Sequence, residues 1–376
     1  MDEYYVKRYC CDISTLLMAE NVKILHRSDL FVREIFEMIE SSKDLLLLEF
    51  YEIADDNLGK KIQDALISKR QQGVSVKIIY DSIGSKNTSK DFWKRFKQNG
   101  IEVIEYNPIR FFTSLRKWFR RDHRKIIVSD FSKALVGGFN LSLDYAPLEI
   151  GGRNWKDMGI SFCGEVVGRL CEIFRDNWVR CGGNYFEINK AKGGNILVSI
   201  AYDFGIASIH SVRRAYRYAM DNAKDFIYIT NAYFLPDKTL SRCLKRAVMR
   251  GVDVRIIVPH KTDHPYVRLA SFMVLKDLIK HGVKVYEWMG EVLHAKSAVV
   301  DGVWISLGSH NLDHISLHYN LELNLNIYDE KIGLEMKEIF ENDLLNSKEI
   351  TLSDIKNMPI SFKAMSYLIY FFRDFL

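Results

Sequence analysis

The stretch HRKIIVSDFSKALVGGFN at residues 123–140 and the stretch HAKSAVVDGVWISLGSHN at residues 294–311 share one spaced pattern. In each, a histidine is followed at fixed intervals by a lysine, an aspartate, a small-residue pair and an asparagine. The positions are His123, Lys125, Asp130, Gly137, Gly138 and Asn140, and His294, Lys296, Asp301, Gly308, Ser309 and Asn311. From average residue usage, one such match arises by chance in roughly one chain in ten thousand. Two copies in register indicate a duplicated functional element.

The residue types in each copy suit phosphoryl transfer. On a strand, a histidine and a lysine two positions apart point to the same face. The runs that follow, KIIVSD and KSAVVD, are apolar and β-branched, which is typical of buried strands. The turns GGFN and GSHN allow backbone to approach an anion, and asparagine supplies donors. Two lysines and two asparagines would hold the oxygens of one phosphate, while one histidine attacks phosphorus and the other protonates the leaving oxygen.

A longer repeat, with a period of about 180 residues, surrounds these motifs. The segments KDLLLLEFYE, GVSVKIIYD and GIEVIEYNP are matched in order by KDFIYITNAY, GVDVRIIVP and GVKVYEWMG, and each set precedes one motif. Apolar positions three or four apart predict helices at residues 57–70, 240–249 and 267–280. Strands that alternate with helices predict a layered α/β fold. The polar segment NKAKGGN predicts a division into 1–190 and 191–376, the second ending in an amphipathic tail.

Composition limits the class of protein. Hydrophobic residues make up 48% and aromatic residues 12% of the chain, which excludes a disordered protein. The net charge of +5 favours an anionic partner, either lipid headgroups or nucleic acid. Six cysteines without metal-ligand spacing indicate reduced thiols and a cytoplasmic location. The start of the chain lacks the pattern of a signal peptide, and no window reaches the roughly eighteen apolar residues of a spanning helix. We therefore expect a soluble or peripheral protein.

The two motifs resemble the paired His-x-Lys-x4-Asp signatures of the phospholipase D superfamily, and within it the chain is most similar to bacterial cardiolipin synthases. The stretches that carry the narrower resemblance are WFRRDHRKIIVSD, NWKDMGI, ITNAYFLPD, LHAKSAVVDG and GSHNLDHISLHYNLELN. The resemblance implies an α/β fold of two duplicated α/β/α halves, with mixed sheets packed about a pseudo-twofold axis and the active site at their interface. It also implies the shorter kind of synthase, without N-terminal transmembrane helices.

The resemblance assigns roles to the motif residues. His123 is the expected nucleophile, giving a phosphohistidine, and His294 the expected acid and base. The near-symmetric sequence leaves the reverse order open. The residues expected to bind the phosphoryl oxygens are Lys125, Lys296, Asn140 and Asn311. No metal ion or other cofactor is implied.

Other polar residues are expected to support the two histidines. An attacking imidazole needs an acceptor on its second nitrogen, and Asp157 and Glu322, at matching places downstream of the motifs, are the candidates. Asp130 and Asp301 belong to the catalytic signature, and we expect them to fix the strand-to-turn geometry rather than to transfer protons. Weaker candidates for supporting contacts lie in the preceding strands EFYE and TNAYF. They are Glu49 and Asn231.

Two segments combine aromatic and basic residues in a way that suits an anionic membrane surface. The first is PIRFFTSLRKWFRR at residues 108–121, directly before the first motif. Its expected membrane contacts are Phe111, Phe112, Arg116, Lys117 and Trp118. The alternative is an amphipathic helix packed on the core. The C-terminal stretch SFKAMSYLIYFFRDFL is similar, and a helix packed on the second half is an equal alternative for it.

The function that the resemblance implies is transfer of a phosphatidyl group from one phosphatidylglycerol to another, which gives cardiolipin and glycerol. The enzyme would lie peripherally on the anionic, cytoplasmic face of the cell membrane. A hydrolytic phospholipase D and a nucleic-acid phosphodiesterase are alternatives from the same superfamily, and the aromatic-basic segment disfavours nucleic acid. A catalytically inactive membrane scaffold is an alternative from another class, which two intact motifs disfavour. The oligomeric state stays open.

Overall fold

The structure is a computed structural model that describes residues 3–109, 118–189, 191–204 and 211–372. The chain divides into two compact units. The first-motif unit comprises Leu17–Ser199 together with Asn320–Leu323, and the second-motif unit comprises the residues up to Leu16, Ile200–Tyr319 and the residues from Asn324 onward. Each unit contains one copy of the motif. The repeat boundaries predicted from the sequence, at residues 190 and 191, stay a prediction.

Strands and helices alternate along most of the described chain. The strands are β1 (Leu16–Leu25), β2 (Leu45–Phe50), β3 (Ser75–Asp81), β4 (Glu102–Tyr106), β5 (Ile126–Ser129), β6 (Lys133–Gly137), β7 (Gly159–Cys163), β8 (Ile196–Phe204), β9 (Phe226–Asn231), β10 (Asp253–Pro259), β11 (Lys284–Trp288), β12 (Lys296–Val300), β13 (Trp304–Gly308), β14 (Leu321–Tyr328) and β15 (Ser347–Ile350). The helices are α1 (Glu3–Tyr9), α2 (Ser28–Ser41), α3 (Asn57–Gln71), α4 (Lys90–Gln98), α5 (Val166–Arg180), α6 (Ser211–Asn222), α7 (Lys238–Met249), α8 (Pro265–Lys280), α9 (His314–His318), α10 (Glu330–Leu345), α11 (Leu352–Asn357) and α12 (Ile360–Phe371).

The first-motif unit contains a mixed sheet in the order β1-β7-β6-β5-β2-β3-β4. Strands β2, β3 and β4 are parallel, and β5 joins β2 in antiparallel register. Strand β2, LLLLEF, is buried along its length, as a strand covered on both faces requires. Leu46, Leu48 and Phe50 pack in one apolar cluster with residues of α2, α3 and α4. Glu49, on the other face of β2, contacts Asn177 of α5, so helices cover both faces.

The second-motif unit repeats this topology in the order β14-β13-β12-β9-β10-β11-β15. Strands β9, β10 and β11 are parallel, and the motif hairpin β12–β13 joins β9 in antiparallel register. Helix α10 packs on this sheet through a stacked pair of rings, Tyr228 and Phe340, whose centroids are 4.7 Å apart. Each motif therefore occupies an antiparallel hairpin beside the first strand of a parallel set.

The layered α/β fold expected from the sequence is confirmed, and the three helices predicted at residues 57–70, 240–249 and 267–280 correspond to α3, α7 and α8. Their boundaries follow local chemistry. Asp56 accepts a hydrogen bond from the Gly59 amide at the start of α3, and Asp237 caps α7 in the same way. Gly73, with φ of 100°, follows α3 in the left-handed conformation that ends many helices. Within the described residues, no helix has the length and apolar character needed to span a bilayer.

Candidate active site

The first-motif histidine sits where the chain enters β5. A parallel bridge joins Asp122 to Leu321, and the His123 amide donates to the Leu321 carbonyl at 3.0 Å. This backbone pairing carries the next residue, Glu322, to the ring. Both Glu322 carboxylate oxygens lie close to His123 Nδ1, at 3.0 and 3.1 Å, and Glu322 is fully buried.

The Glu322 contact sets the tautomer of His123. A carboxylate can only accept a hydrogen bond, so Nδ1 carries the proton that it donates. In the neutral ring, Nε2 is then the nitrogen with the lone pair that a nucleophile needs. Of the two carboxylates proposed from the sequence as acceptors, the one that contacts Nδ1 of His123 in the first-motif unit is thus Glu322, which is 199 residues away in the chain.

The other proposed acceptor, Asp157, lies against the turn after β6. It is buried, and its Oδ1 accepts from the Met158 amide at 2.7 Å. A Cβ placed on Gly138 would come within 2.1 Å of that oxygen. The second glycine of the GGFN turn is therefore needed to admit the Asp157 carboxylate. From the sequence, this glycine was expected to let the backbone approach an anion closely.

The first-motif lysine is held beside the same histidine. Lys125 is buried, and its Nζ donates to the His123 carbonyl at 2.7 Å. Tyr51 lies next to both residues. Its ring meets the His123 ring edge-on with centroids 5.2 Å apart, and Lys125 Nζ lies 5.4 Å from the same ring centroid. Tyr51 was not singled out from the sequence, although its place in the segment EFYE, directly after β2, was a signal.

Asn140, the last residue of the first motif, contacts Glu52. Asn140 Oδ1 accepts from the Glu52 amide at 3.3 Å, and its Nδ2 donates to the Tyr145 hydroxyl at 3.0 Å. Burial, followed by the nearby carboxylates of Asp144 and Asp56, raises the pKa of Glu52 to about 7, although Lys125 opposes the shift. Glu52 was also missed from the sequence, and it is a carboxyl group that titrates near neutral pH beside the motif.

In the second motif, the histidine Nδ1 contacts the motif lysine instead of a carboxylate. Lys296 Nζ lies 2.7 Å from Nδ1 of His294 and also donates to the His294 carbonyl. Both residues are buried. An ammonium group has donors only, so Nδ1 of His294 is the acceptor and, in the neutral ring, the proton sits on Nε2. The contacts of the two histidines thus favour opposite tautomers.

Tyr233 and Asp263 stand near the second histidine, and neither was singled out from the sequence. The Tyr233 ring lies edge-on to the His294 ring at 5.9 Å, and its hydroxyl donates to Asp263 at 2.6 Å. Burial raises the pKa of Asp263, but its interactions with His294 and His264, the hydrogen bond from Tyr233 and the charge of Lys296 together outweigh burial and lower the pKa. Asp263 therefore contributes negative charge near His294.

The remaining polar candidates of the second motif lie close to this lysine. Asn231 is the cross-strand partner of Lys296, and its Oδ1 accepts from the Leu312 amide at 3.1 Å. Within the described structure, Asn231 Nδ2 and the side-chain oxygen of Asn311 are buried without a hydrogen-bond partner. Asn231 lies on the face of the sheet that carries Lys296.

Glu49 does not occupy the position that corresponds to Asn231. It pairs with Ile126, one residue beyond the motif lysine, and therefore lies on the opposite face of the strand from Lys125. There it forms a buried cluster with Arg124, Asp122 and Asn177. Burial raises the pKa of Glu49. For Asp122, the Arg124 guanidinium outweighs the effect of burial and lowers the pKa.

The two motif aspartates hold the hairpins in place. Asp130 accepts from the amides of Lys43, Asp44 and Leu45 at 2.8 to 2.9 Å. Although partial burial opposes it, these bonds lower the pKa of Asp130. Asp301 accepts from the amides of Lys224, Asp225 and Phe226, each at 2.8 Å. We infer from these contacts that both aspartates fix the turn and take no part in proton transfer.

Most of the predicted membrane segment lies outside the described residues. Phe111, Phe112, Arg116 and Lys117 lie outside the described residues, and Trp118, which is described, is exposed. In the part of the chain that the structure describes, no group of three or more His, Cys, Asp or Glu side chains is arranged to hold a metal ion.

Comparison with known proteins places this arrangement in a family. The domain described as "Cardiolipin synthase, PLD-like domain" matches the chain twice, at residues 35–166 and 216–344. Cardiolipin synthase 1 of Staphylococcus aureus (strain COL) is 33% identical over 92% of this chain and 72% of its own length. The major cardiolipin synthase ClsA of Bacillus subtilis (strain 168) is 32% identical over 86% of this chain and 68% of its own length.

A solved structure agrees at the level of the fold. The phosphatidylserine synthase of Haemophilus influenzae Rd KW20 superposes with a TM-score of 0.76 over 99% of this chain and 100% of its own, at 16% identity. The two motif hairpins on mixed sheets thus define a phospholipase D-like protein. The chain belongs to the cardiolipin synthase family with PLD-like domains.

The Glu322 contact predicts a loss of turnover when its charge is removed. Glu322→Gln retains the size of the side chain but loses the carboxylate that orients His123 and stabilises its imidazolium form. We expect kcat to fall by about 10²-fold to 10³-fold. Glu338→Gln, the same change at an exposed site on α10, is the control. Equal kcat values for the two variants would contradict the role given to Glu322.

The raised pKa of Glu52 predicts a pH-dependent stability. The unfolded chain ionises this carboxyl near its ordinary value, whereas the folded protein keeps it protonated up to about pH 7. Folding is therefore favoured below the ordinary pKa, and this contribution is lost as the pH rises through about 7. Between pH 5 and pH 8 we expect Glu52 to lower the free energy of unfolding by about 1–3 kcal/mol.

Urea unfolding of the wild type and of Glu52→Gln at the two pH values tests this. The glutamine variant should lack that part of the decrease, and Glu149→Gln, at an exposed position, should keep it. A decrease of the same size in wild type and Glu52→Gln would show that Glu52 does not titrate in this range.

Proposed function

We propose that the chain is a phosphatidyltransferase that makes cardiolipin from two molecules of phosphatidylglycerol. The observation that carries the proposal is the opposite arrangement of the two motif histidines, on a chain whose two halves both match the cardiolipin synthase domain. A nucleophile needs a lone pair, and an acid needs a proton. The contacts of His123 support the first role, and those of His294 support the second.

The reaction has two half-reactions. Nε2 of His123 attacks the phosphorus of the first phosphatidylglycerol, and the bond from phosphorus to the glycerol headgroup oxygen breaks. His294 gives its Nε2 proton to that oxygen while its Nδ1 takes a proton from Lys296, so the ring stays neutral, and glycerol leaves. His294 Nε2 then takes the proton from a hydroxyl of a second phosphatidylglycerol, Nδ1 returns its proton to Lys296, and the hydroxyl oxygen attacks the phosphatidyl-histidine. The bond between nitrogen and phosphorus breaks, and cardiolipin is released with His123 restored.

The buried cations meet the charge of the phosphoryl group. Lys125 and Lys296 are each held by a contact to the backbone carbonyl of their motif histidine, so their ammonium groups are oriented before substrate binds. Such fixed donors stabilise the charge that develops in the transition state without reorganisation. Asn140 and Asn311 are proposed to add donors to the same oxygens. The enzyme would act on the anionic, cytoplasmic surface of the membrane as a peripheral protein.

Product analysis tests the proposed reaction. Phosphatidylglycerol that carries a label in its phosphatidyl group is incubated with the full chain in vesicles, and the lipids are separated. We expect labelled cardiolipin and one glycerol for each cardiolipin formed. Phosphatidic acid as the main product would identify water as the acceptor and a hydrolytic phospholipase D instead. Cleavage of nucleic acid without any lipid product would identify a phosphodiesterase.

The order of the two histidines can be tested with a substrate whose leaving group needs no proton. A phosphatidyl ester of p-nitrophenol releases phenolate, so His294→Ala should still form an acid-labile labelled enzyme, whereas His123→Ala should form none. With phosphatidylglycerol, each variant should lose about 10³-fold or more in turnover. Labelling of His123→Ala but not of His294→Ala would assign the nucleophile to His294.

A further inference from the structure

The C-terminal helix α12 is apolar around most of its circumference. One side packs on the second-motif unit, where the ring of Phe362 meets Phe272 of α8 edge-on at 4.9 Å and Ser366 is buried. The other side is exposed and carries large apolar side chains: Ile360, Met365, Tyr367, Leu368 and Phe371, followed by Phe372. At 3.6 residues per turn these positions cover an arc of roughly 160°. A helix that is apolar on its exposed side as well as on its packed side typically contacts a further apolar environment there, such as a membrane or another protein.

A basic cavity of about 500 Å³ lies beside this helix in the same unit. Its walls come from the start of α6, the first turns of α7, the middle of α8 and the short helix α9, and Tyr370 of α12 completes them. The apolar part includes Leu235, Met273 and Leu317. The cavity is therefore amphipathic, and α12 contributes one residue to its wall and an apolar stripe outside it.

The charges of the cavity are unbalanced. Two of its cations are neutralised, because Arg213 pairs with Asp237 at 2.6 Å and Lys245 pairs with Asp277. The other two, Lys238 and Arg242, are exposed on α7, and no carboxylate within the described ranges lies at ion-pair distance from them. Arg242 Nε donates to the Lys238 carbonyl at 3.0 Å, which holds the Arg242 side chain against the turn of the helix that carries Lys238. The cavity thus offers two unneutralised cations above an apolar wall.

We propose that α12 and this cavity form an anionic phospholipid site, in which the exposed stripe of α12 enters the membrane interface and the cavity binds a lipid phosphate. Charge complementarity carries the choice of occupant. A lipid phosphodiester with its acyl chains offers an anion joined to an apolar body, as the cavity and the stripe together require. A second copy of this chain would cover the apolar stripe but would leave Lys238 and Arg242 without a counter-charge.

The site gives the enzyme a way to stay on the surface that supplies its substrate. It does not include either catalytic motif. The inference deepens the proposed function, on which it rests only for the choice of phosphatidylglycerol as the probe lipid.

Vesicle binding of the full chain tests the site. Sedimentation with phosphatidylglycerol/phosphatidylcholine vesicles is compared with pure phosphatidylcholine vesicles. Leu368→Ser/Phe371→Ser should weaken binding to the anionic vesicles by about tenfold or more. Lys238→Gln/Arg242→Gln should weaken it by about tenfold at low salt, with a difference that shrinks as salt rises. Cleavage of a short-chain phosphatidylglycerol dissolved as monomers should be unchanged in both variants.

Matched controls come from the same unit. Met249→Ser/Leu345→Ser replaces two apolar side chains that are each 83% exposed, as Ile360 is, but that lie outside α12. Lys224→Gln/Lys331→Gln removes two exposed charges outside the cavity. Binding by both control variants should match that of the wild type.

Three other outcomes would overturn the proposal. If the α12 and cavity variants bind vesicles as their controls do, the site does not bind lipid. If inorganic phosphate or glycerol phosphate displaces the protein at micromolar concentration, the cavity binds a free phosphate. If the α12 variant changes the oligomeric state by light scattering and leaves vesicle binding intact, the stripe is a self-interface. If the protein binds vesicles as expected but forms no cardiolipin, only the proposed function is contradicted. If it forms cardiolipin but the α12 and cavity variants bind vesicles as the wild type does, only this inference is contradicted.

Discussion

Each motif hairpin depends on one aspartate that binds backbone amides. Asp130 and Asp301 each accept three consecutive amide hydrogen bonds from the residues that lead into β2 and β9. Hydrogen bonds to a charged group contribute about 1.5–3 kcal/mol each. They pin the motif hairpin to the first parallel strand, and this fixes the register by which Lys296 faces Asn231. Both residues have positive φ, 51° and 52°, a conformation that asparagine and aspartate adopt more readily than most residues.

The duplicated framework carries two chemically different histidines. His123 meets a carboxylate, because the segment that contains Glu322 pairs with the chain just before the motif. His294 meets an ammonium group, and Tyr233 with Asp263 lies nearby. Two hairpins of the same topology can thus hold one histidine with a lone pair on Nε2 and the other with a proton on Nε2. A phosphoryl transfer in two steps needs this difference.

Local pattern predicted much of this structure. Buried β-branched runs, helix periods and left-handed glycines such as Gly73 act within a few residues, so the sequence alone indicated the strands, α3, α7 and α8. The sequence named Glu322 as a candidate acceptor, but it did not show which histidine Glu322 would contact. That contact depends on a backbone pairing across 199 residues, and the need for Gly138 depends on the Asp157 carboxylate just before β7. Glu49 corresponds to Thr230 in the repeat, because Glu49 pairs with Ile126 and Thr230 with Ser297, each one residue beyond its motif lysine. Its side chain therefore lies on the opposite face from that expected by analogy with Asn231.

The two halves differ in the residues that flank the motif histidine, which are charged and buried beside His123 and apolar beside His294. Asp122, Arg124 and Glu49 are fully buried, and replacing such a cluster with apolar residues is often neutral or stabilising. The second half has Leu293 and Ala295 at the positions of Asp122 and Arg124, and it forms the same hairpin. Stability of the hairpin therefore does not require these charges. What they add are buried, hydrogen-bonded residues on both sides of His123 in the chain, and under the proposed mechanism a nucleophile that attacks phosphorus along one line benefits from that rigidity.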